Sequence, residues 1–295
     1  NFSLCHGFGA ISCLSPLKQP FKGQIVRVFL FLILTLGLAA PTMAQQTPLR
    51  KLLTADQAKE WGGVGRINMK GAGFCTGALI APNIVLTAAH CMYHPQNGTL
   101  LRPDEIEFLA GLRSGRAVAQ RRVRRVVVNK NYTSGRDLKL NKITDDIALV
   151  ELVHPITTNA VKAFPVYENL KTGDAVKVVS YAEDRSDAPS IEEPCKVLGT
   201  NPNALVLSCN VDYGASGAPV FVVHQGHVKI ASVVSAKAVV KGQKVALGAS
   251  LGMALAELRA QLRASRGVFQ GKKPSHKSIN EQLGTKLIVA KTLRP

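Results

Sequence analysis

The sequence predicts an all-β fold that ends in one helix. Twelve short apolar runs recur between turn residues along the 295-residue chain, the pattern of strands joined by tight connections. After them, Leu251, Leu255, Leu258 and Leu262 repeat at the spacing of one helix face. All-β barrels reach about 250 residues as a single folded unit, which fits the length left after a leader. The predicted strands are Gly63–Met69, Gly73–Ile80, Ile84–Thr87, Ile106–Ala110, Arg121–Val128, Ile147–Leu152, Ala175–Tyr181, Cys195–Leu198, Ala204–Asn210, Pro219–His224, His227–Ser235 and Lys244–Ser250.

Residues 1–44 are predicted to be a leader that is removed on export. A basic segment ending at Arg27 precedes the apolar stretch Val28–Ala40, and small residues then offer cleavage after Ala44. The apolar stretch is shorter than the roughly 20 residues that a membrane-spanning helix needs, which favours a cleaved signal peptide over an uncleaved anchor. Residues 1–20 add nothing that a signal peptide requires. The expected location is therefore secreted or periplasmic.

Residues 45–265 are expected to form the folded domain, followed by a basic and flexible tail over 266–295. The chain has a net charge of +18, and the leader contributes only three of its 37 Lys and Arg residues. A field of this sign favours acidic proteins or anionic surfaces as partners, although ordinary solvation of a basic exported protein explains it equally well. No motif that reads nucleic-acid sequence is present.

Three residues spread along the chain have the chemistry of a nucleophilic catalytic site. A serine hydroxyl is a weak nucleophile until a neighbouring base takes its proton, and an imidazole does this near neutral pH. A carboxylate on the far side of the imidazole fixes its tautomer and stabilises the cation that forms. We predict that Ser216, His90 and Asp146 have these three roles.

The segments around these residues resemble the trypsin/chymotrypsin-like serine peptidases. They are Thr87–Cys91, Asp145–Leu149 and Gly214–Pro219, and Gly73–Pro82 ahead of the first segment also matches the family pattern. The order histidine, aspartate, serine is the order of this family among several convergent triads. Each segment alone can be explained without catalysis, for example as a turn or as a structural histidine. The occurrence of all three in one chain favours a triad.

The resemblance implies a fold and an oxyanion site. The fold is two Greek-key six-stranded β-barrels with a C-terminal α-helix and a boundary near residues 162–168. His90 and Asp146 would come from the first barrel, and Ser216 from the second. The backbone amides of Gly214 and Ser216 would point at the oxyanion that develops during the reaction.

Four cysteines, Cys75, Cys91, Cys195 and Cys209, follow the predicted leader, and three pairings are open. Export to an oxidising compartment favours disulfides, whereas zinc binding by four thiols is disfavoured because no Cys-x2-Cys pair occurs. The resemblance implies the pair Cys75–Cys91, which leaves Cys195 with Cys209.

The histidines outside the predicted triad give no sign of a metal site. His94, His154, His224 and His227 lack a spacing partner that is typical of metal ligands. We therefore expect no catalytic metal, and the resemblance implies no cofactor.

The chain departs from the digestive members of the family just before the nucleophile. Ala215 replaces the aspartate that pairs with a newly cut N-terminus, and the usual Ile-Val-Gly-Gly start is absent before Cys75. The pattern is closer to the bacterial secreted branch, which includes the glutamyl endopeptidases. Removal of the leader is therefore expected to give activity, with loss of a short propeptide from Gln45 as the alternative.

Alignment with the family places the base of the substrate pocket at Asn210, whose neutral side chain gives Arg or Lys no carboxylate partner. Asp212 is close, but at a position that does not usually line the pocket floor. Ser235 matches the serine beside the catalytic aspartate, and Val234 precedes it where glutamyl endopeptidases have a substrate-binding histidine. A neutral or small side chain is the expected preference.

The expected function is a secreted serine endopeptidase that cleaves protein or peptide substrates through an acyl-enzyme on Ser216. The resemblance also implies a monomer. An esterase or a very narrow peptidase with the same triad is an alternative among enzymes. From another class, a latent or inactive protease-fold protein would act by binding through its basic surface. Retention of all three triad residues favours the enzyme.

Overall fold

The structure, a computed structural model, describes residues 49–135, 140–201 and 204–269. The predicted leader over 1–44 and residues 270–295 of the predicted tail lie outside the described residues. The strands are β1 (Arg50–Lys51), β2 (Val64–Met69), β3 (Gly73–Ala81), β4 (Ile84–Thr87), β5 (Ile106–Ala110), β6 (Ala119–Val128), β7 (Ala148–Leu152), β8 (Ala175–Ala182), β9 (Arg185–Asn201), β10 (Ala204–Leu207), β11 (Pro219–His224), β12 (His227–Val240), β13 (Gln243–Ser250) and β14 (Val268–Phe269). The α-helices are α1 (Ala55–Ala58), α2 (Leu140–Asp145) and α3 (Gly252–Arg263), and the 3₁₀ turns are Lys59–Trp61, His90–Met92 and Pro103–Glu105.

Twelve of the strands close into two antiparallel barrels. In the first barrel the neighbours run β2-β3-β4-β7-β6-β5, and β5 pairs with β2 to close the ring. The second barrel repeats this order as β8-β9-β10-β13-β12-β11, and β11 pairs with β8. In both, three consecutive strands are neighbours and the fourth returns to lie beside the first, which is a Greek key. The predicted fold class is therefore confirmed.

Each of the short strands near the two ends of the described chain adds to the barrel that is more distant from it in sequence. Strand β1 pairs with β9 of the second barrel, and β14 pairs with β6 of the first. Residues 266–269 were expected in a flexible tail, but Val268 and Phe269 lie in β14. Arg125 holds this end because its guanidinium donates to the carbonyl of Arg266 at 3.2 Å and lies 4.9 Å from the ring centre of Phe269.

Helix α3 is the predicted C-terminal helix. Leu255 and Leu258 on its inner face are buried, as the leucine spacing requires. Glu257 pairs with Lys130 at 2.7 Å, so the helix that follows the second barrel is tied to the end of β6 in the first. No helix within 49–135, 140–201 or 204–269 is long and apolar enough to cross a membrane.

Aromatic and aliphatic side chains join the barrels. The ring of Phe221 in β11 lies 5.0 Å from that of Trp61 and 4.7 Å from that of Phe164, centre to centre.

Residues 153–174 connect β7 to β8 and include the predicted boundary at 162–168, which stays a prediction. Ile143 of α2 is buried against Ala204 and other residues of the second barrel, so the helix that leads into β7 of the first barrel packs on the second.

Candidate active site

His90 follows β4 in a tightly packed segment. Ala88 and Ala89 are fully buried, and His90 then begins the 3₁₀ turn that ends at Met92. A disulfide joins the next residue, Cys91, to Cys75 in β3. The backbone on either side of the imidazole is therefore fixed by packing and by a covalent bond, which limits the positions open to the ring.

Asp146 lies between α2 and β7 with only 3% of its surface exposed. Its Oδ1 accepts the backbone N–H of His90 at 2.8 Å, and its Oδ2 accepts from His90 Nδ1 at 2.7 Å. The hydroxyl of Ser235, on β12 of the second barrel, donates to Oδ2 at 2.5 Å. The buried carboxylate thus has three donors, which is the arrangement that allows a buried charge to persist.

The carboxylate sets the tautomer and the basicity of His90. Because Asp146 Oδ2 accepts, the hydrogen lies on Nδ1, and Nε2 is left as a proton acceptor. Burial by itself would lower the pKa of His90, but the charge and hydrogen bond of Asp146 outweigh it, so the pKa of His90 is raised. The site therefore favours an imidazole that takes up a proton and holds it as a cation.

Thr76 of β3 clamps the loop that carries Ser216. Its N–H donates to the carbonyl of Ser216 at 2.9 Å, and its hydroxyl donates to the carbonyl of Gly214 at 2.9 Å. The same oxygen accepts the N–H of Tyr181 at 3.0 Å, and the carbonyl of Thr76 accepts the hydroxyl of Thr87 at 2.9 Å. Thr76 is fully buried, so these bonds fix the loop against both barrels.

The backbone amides of Gly214 and Ser216 flank Ala215 in this loop. Neither the N–H of Gly214 nor that of Ser216 has an acceptor within the described residues. The N–H groups of the residues around them are paired, Ala215 with Asp212 and Gly217 with Val234. Unpaired backbone N–H groups can donate to a negatively charged oxygen, so these two donors are compatible with the predicted oxyanion site.

All three residues of the predicted triad line one cavity of about 420 Å³. Its lining includes His90, Asp146 and Ser216 as well as Ser235. In the part of the chain that the structure describes, no hydrogen bond joins the hydroxyl of Ser216 to the ring of His90. Catalytic hydrogen bonds of a free enzyme are often long and tighten when substrate binds. The remaining lining residues are Tyr132, Gly135, Ile143, Val211, Asp212, Tyr213, Val234, Ala236 and Lys237.

Comparison with known proteins decides the family. The family model for trypsin matches residues 54–203, which is half of the chain. The chain belongs to the trypsin family. This family includes the trypsin/chymotrypsin-like peptidases that the sequence resembles, so the resemblance is confirmed.

Relatives within the trypsin family are distant. Trypsin Blo t 3 of Blomia tropicalis is 28% identical over 153 residues, which are 50% of this chain and 53% of that protein. Mannan-binding lectin serine protease 1 of Rattus norvegicus is 30% identical over 103 residues, 30% of this chain and 15% of that protein. This chain spans about half the length of the first relative and a small part of the second.

Solved structures share the trypsin-family fold. The structure of Glu endopeptidase in complex with MPD has a TM-score of 0.61 and 20% identity, covering 75% of this chain and 98% of that one. Human heparin binding protein has a TM-score of 0.58 and 17% identity, covering 78% and 100% of the two chains. At these identities the likeness concerns the fold.

The remaining predicted site residues lie around this trypsin-family cavity. The hydroxyl of Ser235 is hydrogen-bonded to the carboxylate of Asp146, as described above. Asn210 is not among the residues that line the cavity, and its backbone N–H donates to Glu192 Oε2 at 2.8 Å. Asp212 is among the residues that line the cavity, and its expected place away from the pocket floor stays a prediction.

The four cysteines form the disulfides that the resemblance implied, Cys75–Cys91 and Cys195–Cys209, with Cα–Cα distances of 6.2 and 5.2 Å. Cys75, His90 and Cys91 are close enough together to resemble a metal-binding group. However, both sulfur atoms are in the disulfide, and a disulfide offers no thiolate to a metal.

Two residues with evident roles at the site were missed in the sequence. Thr76 directly follows Cys75 in a segment that matches the family, but nothing in that pattern indicates that its hydroxyl reaches Gly214. Lys237 lies two residues after Ser235, but the pairing of β12 with β13 shifts register between Val234 and Ala236, so strand alternation does not predict that Lys237 lines the cavity. Its ion pair with Asp212 depends on the loop before Ser216, which periodicity does not describe.

Glu192 is a buried carboxylate beneath the loop that leads to Ser216. Only 2% of its surface is exposed, and burial raises its pKa to about 7, although the N–H of Asn210 and the charge of Arg185 act in the opposite direction. The folded state therefore keeps a proton on Glu192 that the unfolded state releases at lower pH. Stability contributed by this group is lost as the pH rises from the unfolded pKa towards 7.

We expect Glu192→Gln to remove this pH dependence. Between pH 4.5 and pH 7.5, titration of Glu192 should lower the free energy of unfolding of the wild type by on the order of 3 kcal/mol. The variant has no carboxyl at this position and should not show this loss. The measurement is denaturant unfolding across this range. Glu168→Gln, at an exposed position, is the matched control and should follow wild type. A parallel pH dependence for wild type and Glu192→Gln would contradict the expectation.

Proposed function

We propose that this chain is an exported serine endopeptidase that uses Ser216, His90 and Asp146 as its catalytic triad. The observation that carries the proposal is the buried Asp146 carboxylate, which holds Nδ1 of His90 at 2.7 Å inside the cavity that Ser216 also lines. Membership of the trypsin family supports the reaction class, because peptide-bond hydrolysis is the chemistry of its peptidases. The proposed substrates are proteins or peptides.

In the proposed mechanism, Oγ of Ser216 attacks the carbonyl carbon of the scissile bond while Nε2 of His90 takes its proton. The carbonyl oxygen becomes an oxyanion, and the N–H groups of Gly214 and Ser216 donate to it. Each such donor typically lowers the barrier by about 3 kcal/mol. Asp146 stabilises the imidazolium during this step, which agrees with the raised pKa of His90.

Collapse of this intermediate breaks the C–N bond, and His90 gives its proton to the leaving amine. The acyl group then remains on Ser216 as an ester. Water attacks the ester carbonyl, giving its proton to Nε2 of His90, and the acid leaves as Oγ of Ser216 recovers that proton. No step of this proposed mechanism requires a metal or a cofactor.

Export and activation form part of the proposal. Two disulfides within the described residues are typical of proteins from oxidising compartments, and residues 1–44 have the pattern of a signal peptide. Ala215 is fully buried and carries no charge to pair with a new N-terminus. We therefore propose that the peptidase unit over 45–265 becomes active once the leader is removed.

A cleavage assay with a defined mixture of peptides tests this function. The mature protein should cleave peptides at reproducible bonds, whereas Ser216→Ala should lower kcat/KM by at least about 10⁴-fold with folding unchanged. Mass spectrometry of the products gives both the rate and the bonds cut. Equal cleavage by the Ser216→Ala variant, or none by folded mature protein, would contradict the proposal.

A further inference from the structure

Two chain segments, called its walls below, line the cavity beside Ser216. Residues 211–213 come from the loop before the nucleophile, and residues 234–237 come from strand β12. Each wall contributes one charged residue, Asp212 from the loop and Lys237 from the strand. The carboxylate of Asp146 also lines the cavity but already has three hydrogen-bond donors.

An ion pair joins these walls. Nζ of Lys237 lies 2.7 Å from Oδ1 of Asp212, and it also lies 4.0 Å from the ring centre of Tyr213. The Asp212 carboxylate is oriented further by the N–H of Tyr213, which donates to Oδ1 at 2.8 Å. Both charged side chains remain about half exposed. An exposed ion pair adds little to folding stability, so its position at the cavity points to another role.

The rest of this region suits a small apolar group. Val211 and Val234 are buried, and Ala236 lies between Ser235 and Lys237 on the strand. A substrate side chain that is large would have to part Lys237 from Asp212. One that is charged would come close to a wall residue of its own sign, Lys237 for a basic side chain and Asp212 for an acidic one, and this repulsion discriminates against both kinds.

We propose that the Asp212–Lys237 ion pair is a specificity determinant that restricts the residue before the scissile bond to small, uncharged side chains such as alanine and valine. The inference rests on the proposed peptidase function, since it concerns the cavity beside Ser216. Lys237 and Asp212 act by limiting access and take no part in bond breaking.

The test measures kcat/KM for a peptide series that varies only this residue among Ala, Val, Leu, Phe, Glu and Lys. Wild type should prefer Ala and Val by at least tenfold. Lys237→Ala should raise kcat/KM at least tenfold for Leu and Phe, and for Lys because Asp212 is left unpaired. Asp212→Ala should favour Glu in the same way, and the exchanged pair Asp212→Lys/Lys237→Asp should keep the wild-type preference.

A second ion pair of the same length gives a matched control. Lys130 and Glu257 also lie 2.7 Å apart but tie α3 to β6, so Lys130→Ala should leave the preference unchanged. Two results would overturn the role of the ion pair but leave the proposed peptidase function standing. One is a wild-type preference for a charged or large residue, and the other is a preference that stays unchanged in both Lys237→Ala and Asp212→Ala. Folded wild type that cleaves none of the series would overturn the proposed function as well.

Discussion

Asp146→Asn is expected to lower kcat by about 10⁴-fold while KM changes little. The carboxylate accepts from Nδ1 of His90 at 2.7 Å, and an asparagine amide can turn its NH₂ group towards that nitrogen. His90 would then carry its hydrogen on Nε2, the atom that must take the proton of Ser216. The base is removed although the shape of the site is kept. Steady-state kinetics on one peptide substrate measures the effect.

The neighbouring carboxylate supplies the control for this experiment. Asp145 accepts from the amide of Asn129 at 3.2 Å, so Asp145→Asn makes the same chemical change one residue away. It should keep kcat within about tenfold of wild type. NMR titration in the inactive Ser216→Ala background should place the pKa of His90 above its ordinary value, and addition of Asp146→Asn should lower it. Retention of a tenth or more of kcat by Asp146→Asn would contradict the triad.

Gly217→Ala is expected to destabilise the fold by at least about 3 kcal/mol. Gly217 has a φ of +77°, and a Cβ atom there would lie 2.1 Å from Oγ1 of Thr87 and 2.3 Å from the carbonyl oxygen of Thr76. Since Thr76 is buried and bonded to the nucleophile loop, the backbone cannot yield without moving Ser216. Activity should therefore fall together with stability. Denaturant unfolding measures the loss.

Gly226 separates the backbone strain from the steric clash. It lies in the turn between β11 and β12 with a φ of +75°, but a Cβ there has no neighbour within 4 Å. Gly226→Ala should cost only about 1–2 kcal/mol, the expense of a left-handed conformation with a side chain. If the two variants lose the same stability, the close approach of Gly217 to Thr76 has no energetic weight. If Gly217→Ala does not accumulate as folded protein while Gly226→Ala does, the result agrees with the larger loss of stability that we expect for Gly217→Ala.

The barrel strands could be predicted because each buries one face and ends at turn residues. Strands such as Ile106–Ala110 and Pro219–His224 have the bounds that the sequence predicted. Strand β9 was predicted only over Cys195–Leu198 but extends over Arg185–Asn201, because its prolines and acidic residues read as a loop. It pairs with β8 over most of its length, with β10 near its end and with β1 at Ser190 and Ile191, a tertiary arrangement that a single-sequence pattern does not contain.

The short peripheral elements escaped prediction for a related reason. Strand β1 has two residues and pairs with Ser190 and Ile191, about 140 positions away, so no local periodicity marks it. Helix α2 has one buried residue with a described side chain, Ile143, whose apolar partners are all in the second barrel. Such elements form because a distant surface is available, and propensity alone does not reveal that surface.

At the candidate site, the sequence indicated side-chain chemistry better than the shape of the cavity. His90, Asp146 and Ser216 stand in segments whose residue types are specific, and the cavity brings these three together. Alignment with the family placed Asn210 at the base of the substrate pocket, and this role stays a prediction, whereas Asp212 and Lys237 are the residues that line the cavity. Loop conformation decides which of several neighbouring side chains faces a cavity, and spacing does not fix it.

Covalent labelling of the mature protein with a fluorophosphonate probe tests the central claim most directly. Such probes react with a serine only when a base activates its hydroxyl. The account predicts one label per chain, located on Ser216 by mass spectrometry of the digested protein, with no label on Ser216→Ala and slow labelling of Asp146→Asn. Folded mature protein that takes up no probe, or labelling that persists in Ser216→Ala, would contradict it.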